Sequence, residues 1–513
     1  MGSARAGMGG RIISADNCFK IPVPQVVKAG TDSAFSQPIP MHSPKIVIIG
    51  AGSLFFGRKL VWSMNCLEGL TAGHLALVDT DPEHLRLMDS LAKNSRSASG
   101  ASFEISATTQ YRDALEGADF VILSFSHRNA HFRGIDCEVS ARHGIRMCSG
   151  DTIGPGGIFR AFRELPKIQE IAAAVEEICP KAWLVNYINP SAVIGTFLQR
   201  HTRTKNLALC DSLHLPHLHE SYMKLIGLDP ADRAHFSMKI AGVNHFTFCL
   251  EARYRGHDVM PRIHAALKHQ GEKENPGAPS KELFNKRIAA RLHEVFGALP
   301  VCTGHTKEYV PYFQGLGPHG SDEIVPPLNL FDVPEREKIT RAMWSDLQDY
   351  DVGRKPIRDF LETTGSDHAT DLIQAIWNGS GRHLFVNVPN GGSVSNLPPD
   401  AILELECVCG ADGPEPLPVG AMPLGLRSQQ MRILDTHELT VEAWVRQDRG
   451  LLVRALAVDP IVNSLAAAEA VIDDLYNEEK ECLPPWVAER PPSEPVPLTF
   501  AMADTVHQGQ TTI

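Results

Sequence analysis

The segment KIVIIGAGSLFFG, residues 45–57, constrains this chain more than any other. A buried-strand pattern runs straight into Gly50, Gly52 and Gly57 and then into a helix-like stretch. A strand ending this way must turn tightly, and glycine lets backbone N–H groups approach a pyrophosphate at a helix N-terminus. Asp79 closes the next apolar run 27 residues after Gly52, and Asp81-Pro82 marks the start of an amphipathic helix. Further short apolar runs at 118–126, 182–190 and 206–210 alternate with helical patterns, notably 163–178. Fully apolar strands alternating with amphipathic helices predict an α/β fold with a Rossmann-like, doubly wound parallel sheet. Four residues rather than two separate Gly52 from Gly57, so the strict dinucleotide fingerprint is not met. A tight turn without a ligand is the alternative. With Asp79 and the αβ rhythm in register, a nucleotide site is favoured, and an acid at 79 favours NAD over NADP.

Beyond about residue 215 the rhythm changes. FSMKIAGVNHFTFCLEARYRGHDV alternates like antiparallel strands around a short polar break, and 260–385 reads as mainly helical with a Pro/Gly-rich interruption at 300–330. The expected organisation is an N-terminal extension over 1–43, a nucleotide-binding domain over 44–215, an α+β substrate domain over 216–488, and a tail over 489–513. Lys and Arg number 49 against 60 acids, a net charge of −11 that argues against a nucleic-acid or anionic-membrane binder. No apolar run approaches the roughly 20 residues of a membrane span, and the first forty residues lack a secretory h-region. Eleven scattered cysteines suggest reduced thiols in a cytoplasmic protein.

Several residues carry chemistry. In NLALCDSLHLPH (206–217), Cys210 ends a predicted parallel strand, the edge where open α/β sheets place ligands. With His245 of AGVNHF it could hold a divalent metal and leave positions open to substrate oxygens; an inert thiol and a core histidine are the alternatives. Tyr309 and Tyr312 in GHTKEYVPYF are either core aromatics or, with a metal or cation to lower the pKa, a base. Asn186 and Asn189 of NYINPSA offer carboxamides to sugar hydroxyls or a nicotinamide, or simply make an Asn-Pro turn. GDTIGPGGIFRAF (150–162) reads as a glycine-rich loop that offers amides, Asp151 and Arg160. Arg128 and Arg133 could meet an anionic sugar by bidentate bonding, or lie at the surface.

Taken together and in order, KIVIIGAGS, GDTIGPGGIFRAFRELP, NYINPSA, CD, AGVNHF, EYVPYF, NVPNGGSVSNLPPDAILELECV and RSQQMRILDTHELTVEAWV resemble glycoside hydrolase family 4, the NAD-dependent and usually manganese-dependent glycosidases. The resemblance covers roughly residues 44–485. It implies a lactate/malate-dehydrogenase-like fold enlarged in its second half, with Cys210 and His245 as metal ligands, Asp211 as general acid and Tyr309 as base. It also implies that Gly50, Gly52, Ser53, Asp79 and Asn189 contact NAD, and that Arg128, Asp151, Asn189 and Asn244 contact substrate. The implied reaction is transient oxidation at sugar C3, elimination across C1–C2, water addition and re-reduction, which dispenses with the usual carboxylate pair. A glycoside substrate, an α-galactoside or α-hexuronide, and a homodimer or homotetramer are implied as well. This chain departs from its relatives at Asp211-Ser212-Leu213 and in SFSHRNAHFRGIDCEVSARHG (124–144). His214 and His217 are assigned no role.

Two other readings are open. An NAD-dependent 2-hydroxy-acid dehydrogenase would use His319 of GPHGSD (317–322), but no Asp-x-x-Arg precedes it at the expected distance. A non-catalytic NAD-binding sensor would keep the glycine loop without needing Cys210, His245 and Tyr309 together.

Overall fold

The computed structural model describes residues 43–65, 70, 72–210, 212–272, 281–313, 330–359 and 367–489. Asp211, His319 and nearly all of the N-terminal extension and C-terminal tail therefore lie outside the described residues. The first six strands are β1 (Lys45–Ile49), β2 (Ala72–Val78), β3 (Ser102–Thr108), β4 (Phe120–Leu123), β5 (Trp183–Asn186) and β6 (Lys205–Ala208). They pair in parallel in the order β3-β2-β1-β4-β5-β6, the order of a doubly wound dinucleotide fold. Ile46 and Ile48 pack into the core on one face while Val47 and Ile49 pack into that on the other. Both faces are covered, which is why these strands read as continuous apolar runs rather than alternating ones.

The sheet then continues without a break into an antiparallel half. It comprises β7 (Phe236–Val243), β8 (Phe246–Tyr254), β9 (His257–Asp258), β10 (Leu299–Pro300), β11 (Arg382–Pro389), β12 (Ile402–Gly410) and β13 (Gly413–Pro416). The order β10-β8-β7-β12-β11 joins β6 through the single pair Asn387↔Ala208. The polar break in AGVNHF is the two-residue turn between β7 and β8, as the alternation predicted.

One expectation needs correction. Residues 150–162 are a loop only as far as Ile153, and the helix Gly154–Ile178 starts inside the glycine run. Pro155 occupies the first turn, where its missing N–H costs nothing. Gly156 and Gly157 are packing glycines: an added Cβ would stand 2.8 Å from the Gly150 carbonyl oxygen and 2.6 Å from the Thr152 carbonyl carbon. Among the described residues, nine cysteines are free thiols, and no helix is long and apolar enough to cross a membrane.

A buried ion cluster ties this helix to two others. Arg163 donates to both oxygens of Asp136, at 3.2 and 2.7 Å, and to Glu479 at 2.5 Å, all three side chains being almost fully buried. Replacing Arg163 with Met leaves two buried carboxyl groups without their cation. Arg163→Met is expected to cost about 3–5 kcal/mol, read as a lowered urea midpoint at constant slope.

Candidate active site

The sequence Asn244-His245 closes the β7–β8 hairpin in two residues, and His245 adopts a left-handed φ of 66°. A non-glycine residue holds that conformation only where its surroundings enforce it. Here both turn carbonyls are held: the Tyr309 hydroxyl donates to the Asn244 oxygen at 3.0 Å, and Thr306 Oγ1 donates to the His245 oxygen at 3.2 Å. The Asn244 side chain is fixed as well, because Ser191 Oγ donates to its Oδ1 at 2.8 Å.

Turned this way, the His245 ring meets Cys210. Cys210 lies just past the C-terminal end of β6, and its Sγ shares a hydrogen bond of 3.0 Å with His245 Nε2. Ser212 Oγ lies 3.0 Å from the same sulfur. Burial, reinforced by Glu404 and Cys302, pushes the Cys210 thiol well above the usual thiol range. Burial, with the charge of His305, holds His245 well below the usual imidazole range. Both shifts favour the neutral forms of the thiol and the imidazole. The His305 ring stacks on His245 with centroids 4.1 Å apart, and Cys302 Sγ lies 3.6 Å from His305 Nδ1.

A charged group adjoins this neutral one. Glu308 Oε1 accepts from the Ser149 and Gly150 amides at 2.8 and 2.9 Å, which pins the 149–151 loop to the segment carrying Tyr309. Within that loop Asp151 accepts from Ser149 Oγ at 2.5 Å and from Arg160 Nη1 at 3.1 Å, with Arg133 Nη2 at 3.7 Å. The Arg133 and Arg160 charges hold Asp151 far below the usual carboxylate range against the opposing effect of burial.

The glycine loop forms at the point where the parallel order reverses, between β1 and β4. Gly50 has φ 92° and passes so close to β4 that an added Cβ would stand 2.6 Å from the Phe125 nitrogen. A Cβ on Gly57 would stand 2.4 Å from the Ala51 oxygen, so this glycine lets the helix Gly57–Met64 pack against the loop. No side chain caps that helix and its first turn holds no acid, so no negative charge of its own competes with an anion there, although the Arg58 amide already donates to the Ser53 carbonyl at 2.9 Å. Asp79 accepts from the Gly52 and Asp81 amides at 2.8 and 3.0 Å and retains lone pairs for a ribose hydroxyl. These residues fit a dinucleotide.

The donors also fit a metal with open positions. Cys210 and His245 converge, and His245 Nδ1 is buried without a hydrogen bond among the described residues. No third His, Cys, Asp or Glu completes a metal set among the described residues, unlike a closed structural site.

The structure brings Cys210, His245, Asn244, Tyr309 and Asp151 together and sets Gly50, Gly52, Ser53 and Asp79 on the nucleotide edge. Asn189 is half-buried just past β5, whereas Asn186 is spent bracing Ile188 through both its amide and its carbonyl. Arg128 is exposed and paired with Glu481 at 2.9 Å. Tyr312 is 40% exposed. His305, Cys302, Glu308 and Glu404 complete the site without having been singled out in the sequence. Of these, only Glu308 stood beside a residue already marked. His214 is not idle: it meets Asp371 at 3.1 Å, and Asp371 is held by both Nη atoms of Arg382.

The fold and the site define an α/β protein of the dinucleotide-binding class with a thiol–imidazole pair at its sheet edge. The family 4 glycosyl hydrolase model matches residues 45–217, and the model of that family's C-terminal domain matches residues 240–462. The chain belongs to family 4 of the glycosyl hydrolases and is a glycosidase. It is 28% identical over 454 residues to the α-galactosidase of Bacillus subtilis strain 168, with 86% of this chain and 99% of that one covered. It is 29% identical over 465 residues to the α-galacturonidase of Lachnoclostridium phytofermentans, with 86% and 97% covered. Among solved structures, lplD of Bacillus subtilis superposes with a TM-score of 0.74 at 27% identity, covering 85% of this chain and 100% of that one. The fold is shared with a 6-phospho-α-glucosidase from gut microorganisms solved with NAD and Mn2+, at TM-score 0.72 and 22% identity, covering 86% and 99%.

Burial raises the Glu308 carboxyl from an ordinary 4.5 to about 7, against the two amide hydrogen bonds that favour its ionised form. A raised carboxyl contributes stability that is complete below pH 4.5 and is lost as pH climbs through 7. Glu308→Gln is expected to flatten that loss by about 3 kcal/mol, measured as unfolding free energy at pH 5 and pH 8.

Proposed function

We propose that the enzyme is an NAD- and divalent-metal-dependent glycosidase acting on an α-galactoside or α-hexuronide. The observation that carries this reading is the 3.0 Å contact of Cys210 Sγ with His245 Nε2 at the carboxyl edge of a doubly wound sheet. Ordinary glycosidases have no use for a thiol and an imidazole there, since they work with two carboxylates. Bound NAD and a divalent cation such as Mn2+ would supply transient oxidation of the sugar at C3 and polarisation of the ketone so formed.

Within the chain, Cys210 and His245 hold the cation, and Gly50, Gly52, Ser53 and Asp79 hold the dinucleotide. Asn189, Asn244 and Asp151 orient sugar hydroxyls from the rim of the same site. Tyr309 takes the C2 proton. Its hydroxyl lies against the turn that carries His245, and because burial pushes its pKa well up it needs positive charge nearby to ionise. Asp211, next to Cys210 in the sequence, donates a proton to the leaving group. The parallel half, 44–215, serves as the nucleotide domain and 216–488 as the substrate domain, in a cytoplasmic homo-oligomer. The α-galactosidase and α-galacturonidase relatives, matched over nearly their whole length, support the choice of sugars.

The test is to incubate the protein with NAD and Mn2+ under reducing conditions and a panel of nitrophenyl glycosides in deuterated water. Nitrophenol should appear without net NADH, and deuterium should enter C2 of the sugar. NADH accumulating in step with an oxidised hydroxy acid would overturn the reading. Cys210→Ser should raise the Mn2+ concentration for half-maximal activity at least about tenfold and leave NAD affinity within twofold.

A further inference from the structure

Past Leu209 the segment that carries Cys210 leaves the sheet. The Leu209 amide donates to the Asn186 carbonyl at 2.9 Å. Among the described residues the next backbone hydrogen bond is at His214, whose carbonyl accepts from the Leu218 amide at 2.9 Å. With no ladder to fix it, the place of the thiol depends on side-chain ties.

His214 supplies one tie. Its Nε2 meets Asp371 Oδ2 at 3.1 Å, and Asp371 accepts from Arg382 at both oxygens, from Nη1 at 2.9 Å and from Nη2 at 2.8 Å. The Asp371 carboxylate is buried, and this bidentate pairing answers its charge and fixes its plane. His368 supplies the other tie. It opens the helix His368–Asn378, three residues before Asp371, and its ring packs edge-on against His214 with centroids 4.0 Å apart. The same ring lies against the Cys210 backbone, with neither nitrogen in a well-formed hydrogen bond among the described residues.

The start of that helix is fixed from the nucleotide side. Asp367 Oδ1 accepts from the Ala369 amide at 2.9 Å and from the Tyr187 hydroxyl at 2.5 Å, and the Asp367 amide donates to Ser63 Oγ at 2.9 Å. Ser63 belongs to the helix Gly57–Met64 that follows the glycine loop. His368 and Asp371 are therefore referenced to the parallel half of the fold, not to the segment they hold.

We propose that Asp371 is a positioning residue for the cation site: through His214, and with His368 packed against both His214 and Cys210, it holds Cys210 where it meets His245. This rests on the reading of Cys210 and His245 as the cation donors. Both oxygens of Asp371 are engaged, so it acts as a tie and not as a donor. Such a tie removes the cost of ordering the segment when the cation binds, so its loss should appear in cation affinity and not in dinucleotide affinity.

Mn2+ binding to the full chain is titrated by electron paramagnetic resonance under reducing conditions with NAD present, and NAD affinity is followed by fluorescence. Asp371→Asn keeps the shape and drops the charge. It should weaken Mn2+ at least about tenfold, the usual effect of losing a group that holds a ligand, and leave NAD affinity within about twofold. His214→Ala should do the same, and His214→Gln, whose amide can still donate to Asp371, should recover part of the loss. The double variant Asp371→Asn/His214→Ala should be no more than about threefold weaker than the worse single one, because both cut the same chain. Melting temperatures check the fold. If Asp371→Asn does not fold, the two His214 variants carry the comparison, at a side chain 19% exposed. Unchanged Mn2+ affinity in Asp371→Asn and His214→Ala would overturn the proposal and leave the cation reading standing. So would equal losses in His214→Gln and His214→Ala, a double variant whose loss is the product of the single ones, or a matching loss of NAD affinity. If the wild type binds no Mn2+, or Cys210→Ser binds it as tightly, the cation reading itself fails and the proposal falls with it.

Discussion

The turn at Asn244-His245 is the constraint on which the rest of the site depends. A two-residue hairpin with a histidine in left-handed backbone is disfavoured on its own, by on the order of 1–3 kcal/mol. It persists because three separate parts of the chain grip it. Tyr309 and Thr306 hold its carbonyls, Ser191 holds its carboxamide, and Gln430 clamps the strand ends by accepting from the Val243 amide and donating to the Phe246 carbonyl. Tyr309 therefore has a structural duty whatever its chemical one, and the His245 ring is aimed by the fold before any ligand arrives.

Around that turn burial sorts the ionisable groups into two zones. Close to Cys210 and His245, desolvation favours the neutral forms: the thiol and the Tyr309 phenol are pushed up, the imidazole is pushed down, and the Glu308 and Glu404 carboxyls rise to about 7. Around Asp151 charge survives burial because guanidinium groups answer it directly. A sugar spanning both zones would meet polarisable donors at one end and fixed charge at the other.

The parallel half of the fold was legible because its physics is local. Continuous apolar strands, a glycine turn and the Asp81 N-cap each leave a mark within a few residues, and the Asp81 side chain does accept from the Glu83 and His84 amides. The start of the Gly154–Ile178 helix was misread because glycines that normally signal a loop are there demanded by tertiary crowding against Gly150 and Thr152. Cys210 and His245 could be paired only through an ordered set of motifs, since 35 residues of spacing say nothing of contact. Asp371 and His305 were silent for the same reason: their meaning comes from neighbours distant in sequence, and each sits in an unremarkable local pattern.

The two metal-type donors come from different halves of one sheet. Cys210 follows the last parallel strand, and His245 caps the first antiparallel hairpin. Between them Ala208, Asn387, Glu404 and Gly242 pair in a row across β6, β11, β12 and β7. Glu404 stands in that row with its carboxyl buried, accepting from Thr247 Oγ1 at 2.6 Å, and it raises the neighbouring Cys210 thiol. A carboxyl placed there is costly among neutral groups and favourable beside a cation, whose charge would draw down the pKa of both the thiol and the acid. Neither half of the sheet holds both donors, so the seam that joins them also brings the thiol and the imidazole together.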